Sequence, residues 1–250
     1  MSGAEFLALF GIGLGTGVIG ALLGIGGGVI LVPGLALIMG VPLRAAVATS
    51  LVCIVATSVA SSIVHLPRAR VSLLLAIELE SFTVFGAVVG GLVAGFIPAA
   101  PLYFAFAALL GYTGYKMWPR RKADGPRKTH IHWARAASTG AGVISSLLGV
   151  GGGVLKVPVL NLLMDLDFER TTATSIYMIG LTTATGAMIY LVRGDVHFRV
   201  AAATALGTIA GSGVAALVGH RFDTRALKGA FALLLLYVAY EMVRHGLAHT

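Results

Sequence analysis

Two stretches, LGIGGGVILVP at residues 23–33 and LGVGGGVLKVP at residues 148–158, are one element written twice at an offset of 125. Three consecutive glycines are poor helix formers and free the backbone for dihedrals that other residues avoid. Each run stands inside otherwise apolar sequence, so it predicts an interruption in a membrane helix. Bare backbone at membrane depth is tolerated only where it is buried in protein or lines a wet cavity. Two such interruptions at matching positions of two repeats point to a transporter's central site. A second reading has the glycines serving close helix packing, as GxxxG does. A phosphate-binding loop is excluded because no strand precedes either run.

The repeat extends outward from this element. Residues 23–51 align without gaps on 148–176 and about half the pairs are identical, among them Pro33/Pro158, Ala48/Ala173, Thr49/Thr174 and Ser50/Ser175. The same offset pairs Gly17 with Gly142, Gly86 with Gly211, Phe106 with Phe231 and Met117 with Met242. The chain therefore divides into repeat 1 (1–118), a basic linker (119–135) and repeat 2 (136–250). Apolar runs between Gly, Pro and charge punctuation predict segments near 4–22, 27–39, 45–64, 71–96 and 101–118, repeated in the second half. The run 27–39 spans about 20 Å as a helix, short of a bilayer crossing. It is a half-helix or one arm of a re-entrant hairpin.

Hydrophobic residues make up 57% of the chain and charged residues 11%, against roughly 25% charged in a soluble domain. The expected fold class is all-α integral membrane: two homologous repeats of four to five transmembrane segments each, inverted, with glycine-broken helices meeting at the membrane centre. The net charge of +8 does not indicate nucleic acid. The basic residues cluster in loops, above all Arg120, Arg121, Lys122, Arg127, Lys128 and Arg135, as a cytoplasmic loop carries them. The N-terminal MSGAEFLALF lacks the basic region of a signal peptide and reads as the first membrane helix. With the linker inside, loop charges barely separate inverted from parallel repeats; an N-terminus without Lys or Arg leans toward periplasmic termini and inversion. Cys53 has no partner for a disulfide or a metal, and no cofactor or metal motif is present. Neither His-Glu-x-x-His nor Gly-x-Ser-x-Gly occurs, which argues against an enzyme.

The candidate substrate-binding residues follow from these elements. Gly26, Gly27 and Gly28, with Gly151, Gly152 and Gly153, offer helix N-termini whose N–H groups and dipole favour an anion. Lys156 is the one basic residue inside an apolar segment, where an ionisable group is costly and functional by default. It faces a cavity and a bound anion, or it snorkels to an interface. Its repeat mate is Leu31, so Lys156→Leu is expected to spare folding. Asn161 could add amide hydrogen bonds to the same site. Thr49 and Ser50, with Thr174 and Ser175, either cap the next helix or offer hydroxyls to an oxyanion. Glu78 and Glu80, whose mates are Ala203 and Ala205, are read as interfacial residues near Arg68 and Arg70, with a proton-coupling carboxylate as the other reading.

At these residues the chain resembles the sulfite exporter TauE/SafE family of probable membrane transporter proteins. The resemblance rests on the duplicated Gly-Gly-Gly-x-x-x-Val-Pro signature, the Ala-Thr-Ser triplet in both halves, and GGGVLKVPVLN ahead of TTATS. Gly26–Gly28 and Gly151–Gly153 match the signature; Lys156 and Asn161 match a lysine-bearing subset. The family implies a multi-pass inner-membrane permease for sulfite, an organosulfonate or a related organic anion. The expectation is a secondary transporter working by alternating access between the repeats. The expected partners are the small anion, the lipid bilayer and a proton or sodium coupling ion, with a homo-oligomer left open. The alternatives are an anion channel and a non-transporting membrane assembly subunit.

Overall fold

The computed structural model describes residues 2–23, 25–65, 73–117, 131–164, 168–218 and 224–248. They form ten helices and, among the described residues, no strand. The first half contributes α1 (Gly3–Leu23), α2 (Gly28–Pro33, continued by a π-helical turn Gly34–Ile38), α3 (Leu43–His65), α4 (Leu73–Ala94) and α5 (Ala99–Met117). The second contributes α6 (Ile131–Leu148), α7 (Gly153–Leu163), α8 (Phe168–Val192), α9 (Phe198–Val218) and α10 (Thr224–Ala248). The five segments expected in each half are thus present, and the short one after each glycine run is a separate helix. Helix α6 begins at Ile131, inside the stretch read as linker; residues 119–130 lie outside the described residues.

Six of the described helices are long and apolar enough to cross a membrane: α1, α3, α4, α8, α9 and α10. The distribution of side chains agrees with that. Leu7, Leu74, Phe85, Phe96 and Leu217 are exposed, while Thr16, Thr49, Ser50, Thr83, Ser145 and Thr182 are buried. Soluble proteins seldom expose apolar surface on this scale, whereas in lipid the outer face is apolar and small polar residues line helix interfaces.

The most extensive pairings join one half to the other: α1 with α9, α4 with α6, α5 with α10 and α3 with α8. Exchanging the halves maps this set onto itself, and the offset of 125 holds residue by residue. A Cβ added to Gly17 would fall inside the contact radius of the Thr208 carbonyl, and one on Gly142 inside that of Thr83. Gly211 is held equally close to Leu14, and Gly86 to Thr139. In each case the second pair is the first shifted by 125 at both ends. Small residues let these backbones approach closely, the usual way helices associate in lipid.

Candidate functional site

The glycine runs break the helices as their composition predicts. Gly26 and Gly27 have φ of 80° and 77°, and their mates Gly151 and Gly152 have 77° and 71°. This left-handed region is open to glycine at little cost and costs other residues about 1–2 kcal/mol. Gly27 and Gly152 are the caps from which α2 and α7 start. Gly26 and Gly151 approach the same two side chains, Ile54 of α3 and Ile179 of α8, themselves repeat mates. A Cβ on Gly28 would lie 2.6 Å from the Gly149 carbonyl, and one on Gly153 would lie 3.1 Å from the Ile25 carbonyl. The two breaks therefore meet.

Ser50 ties them together: its hydroxyl donates to the Gly149 carbonyl at 2.7 Å. Ser175, its mate, is buried and its hydroxyl lacks a hydrogen-bond partner among the described residues, as does that of Thr49. Thr174 is buried as well. All four sit inside α3 and α8, two turns past the helix starts at Leu43 and Phe168. The capping alternative is thereby removed, because a cap residue must precede the helix. The side chain of Asn161 lies outside the described residues.

Lys156 is 1% exposed, and its ammonium donates to the Glu80 carboxylate at 2.8 Å. It also donates to the Thr182 hydroxyl, which in turn donates to the other Glu80 oxygen, closing a triangle between α7, α4 and α8. Glu80, at 3% exposure, is therefore an interior residue rather than an interfacial one. Glu78, two residues earlier, pairs with Arg135 of α6 at a half-exposed position. A lysine buried to this degree does not snorkel. The pair also overturns the expectation that Lys156→Leu spares folding, since it would leave a buried carboxylate uncompensated. Beside the triangle, the Ser145 hydroxyl is buried without a partner among the described residues. It comes within 3.3 Å, and the Lys156 Cε within 3.5 Å, of the point where a Cβ on Gly152 would sit. A buried hydroxyl with no described partner, the stem of Lys156 and the start of α7 thus pack together around one glycine.

The corresponding region of repeat 1 is different. There a cavity of about 30 Å³ opens, lined among others by Gly20, Gly26, Gly27, Leu31, Thr57 and Thr208. Shifted by 125, these positions are Ser145, Gly151, Gly152, Lys156, Thr182 and Thr83. Where the first break keeps space between Leu31 and Thr57, the second has the Lys156–Glu80–Thr182 triangle, to which repeat 1 contributes Glu80.

Compared with known proteins, residues 9–242 match the family described as sulfite exporter TauE/SafE. The chain belongs to that family. Probable membrane transporter protein YunE of Bacillus subtilis is 24% identical over 97% of this chain and 99% of its own length. YdhB of the same organism, also a probable membrane transporter protein, is 25% identical over 91% and 94%. A probable membrane transporter protein of Methanocaldococcus jannaschii is 30% identical over 75% and 74%. No solved structure matches. This TauE/SafE member is thus a multi-pass membrane protein of a probable transporter family. Among its site residues, Ser145, Thr182 and the pairing of Glu80 were not singled out from the sequence. One signal was available: Lys156 and Glu80 are opposite charges that each interrupt the repeat, at the mates of Leu31 and Ala205.

Proposed function

We propose that this chain is a secondary transporter for a small anion, sulfite or an organosulfonate, operating in the inner membrane by alternating access between two inverted repeats. The observation that carries the reading is the convergence at Gly152: buried Lys156, the unpartnered Ser145 hydroxyl and the start of α7 all offer positive character at one break. The equivalent break in repeat 1 faces a cavity. A two-fold exchange of contacts between halves is what a pseudo-symmetric carrier needs to present one site to either side. The remaining candidate residues Gly26–Gly28, Thr49, Ser50, Gly151, Gly153, Asn161, Thr174 and Ser175 complete the proposed site around the meeting of the breaks. In this arrangement the linker is cytoplasmic and both termini are periplasmic.

Counterflow in proteoliposomes tests the reading. Vesicles loaded with unlabelled sulfite should take up labelled external sulfite faster than empty vesicles, with protein-free vesicles subtracted. Flux that ignores the internal load would assign a channel. Absence of flux with sulfite, sulfoacetate, taurine and thiosulfate alike would assign a non-transporting subunit.

A further inference from the structure

We propose that Glu80 is a proton-coupling carboxylate: the transported anion displaces it from Lys156, and the freed carboxylate takes up a proton that travels with the anion. This rests on the anion-site reading of Lys156 given above. Three observations on the structure support it.

First, Glu80 already occupies the ammonium as an internal anion would. It lies at 2.8 Å, buried, with Thr182 bridging its second oxygen. An anion entering beside Ser145 and Gly152 therefore meets a lysine whose charge is already neutralised, and binding is an exchange of counter-ions. Second, an exchange leaves Glu80 with no free cation among the described residues. Glu78 is taken by Arg135, and Arg193, at the end of α8, is taken by Asp195. The other titratable side chains described on the helices that pack against the pair are His132 on α6 and Tyr177 and Tyr190 on α8; the Tyr190 hydroxyl donates to the Ser146 carbonyl. A carboxylate left alone in a low-dielectric interior is neutralised by a proton rather than carried as a charge. Third, Leu31 and Thr57, the mates of Lys156 and Thr182, line a cavity, so the fold accommodates space at this position of a repeat.

The cycle balances. From the ion pair, one anion binds Lys156 and one proton from the same side binds Glu80. On the opposite side the anion leaves, the proton leaves, and the pair closes again. One proton accompanies each anion.

The experiment uses full-length protein in proteoliposomes with labelled sulfite as probe and two readouts: counterflow, and accumulation driven by an imposed proton gradient, with protein-free vesicles subtracted. Wild type is expected to do both. Glu80→Gln keeps the size and hydrogen-bonding capacity of the side chain but carries no proton, and its ratio of proton-driven accumulation to counterflow should fall at least tenfold. Glu78→Gln, on the same helix but paired with Arg135, should keep the wild-type ratio. Counterflow that is absent in wild type overturns the anion reading and this inference together. Counterflow with accumulation indifferent to the proton gradient, or a Glu80→Gln ratio equal to wild type, overturns the coupling alone and leaves the anion site standing.

Discussion

Replacing Lys156 by Leu and Glu80 by Ala puts at each position the residue its repeat mate already carries, Leu31 and Ala205, and the energetics of the pair can be worked through that substitution. In Lys156→Leu the fold must carry Glu80 neutral. Protonating an ordinary glutamate at pH 7 costs about 3.7 kcal/mol, from 1.36 kcal/mol per unit over the interval from 4.3 to 7. That lies within the range of about 3–5 kcal/mol for breaking a buried pair. At 2–4 °C per kcal/mol for a chain of this size, the melting temperature should fall by about 7–15 °C. The folded variant holds a proton that the unfolded chain releases, so its deficit shrinks as pH falls, to about 1 kcal/mol at pH 5. Glu80→Ala has the opposite slope. Carrying Lys156 neutral costs about 4.6 kcal/mol at pH 7 and less as pH rises. The double variant leaves no buried charge and should melt at or above wild type, since replacing both members of a buried pair is often neutral or stabilising. Melting curves in detergent at pH 5, 7 and 9, followed by size exclusion, supply the cycle. Single variants that track wild type at every pH, or a double variant as unstable as the two deficits added, would refute the reasoning.

Three other outcomes are expected. Ser145→Ala removes one hydroxyl with no partner among the described residues, so stability should hold while sulfite affinity drops about 2- to 10-fold, the worth of one hydrogen bond; unchanged counterflow at subsaturating sulfite would remove Ser145 from the site. Gly142→Ala drives a methyl into the Thr83 carbonyl and should cost about 1–3 kcal/mol, whereas Gly140→Ala, facing open space, should melt as wild type; equal melting of the two would contradict the close α4–α6 approach. Gly125→Cys in the linker should resist membrane-impermeant maleimide on intact cells, and labelling from outside would reverse the proposed orientation.

The helices were legible because lipid imposes long apolar runs and the glycine triplets punctuate them. The segments expected at 4–22 and 101–118 correspond to Gly3–Leu23 and Ala99–Met117. The break at Gly151–Gly152 was legible for the same reason, since a composition that cannot hold a helix declares itself in one dimension. The partner of Lys156 was not. Nothing along the chain says that α4 packs on α8 and so carries Glu80 to α7, and a carboxylate two turns into an apolar segment reads equally as interfacial. What could have been read is the repeat itself, because two opposite charges that each break its symmetry invite pairing. Ser145 was hidden by its small size: its mate is Gly20, and only the packing of α6 against the Gly152 turn gives the hydroxyl a neighbourhood.

The interleaving of the halves bears on how the protein is made. Helix α1 finds its main partner in α9, and α4 finds its own in α6, so α1 has almost no permanent neighbour until nearly two hundred further residues have been synthesised. Its glycine face, with Gly13 and Gly17 awaiting the backbone of Thr204 and Thr208, must wait in lipid or against an insertion chaperone through most of translation. Nascent chains halted after α5 should therefore be inserted yet remain protease-sensitive, and protection should appear as one late step when α9 arrives.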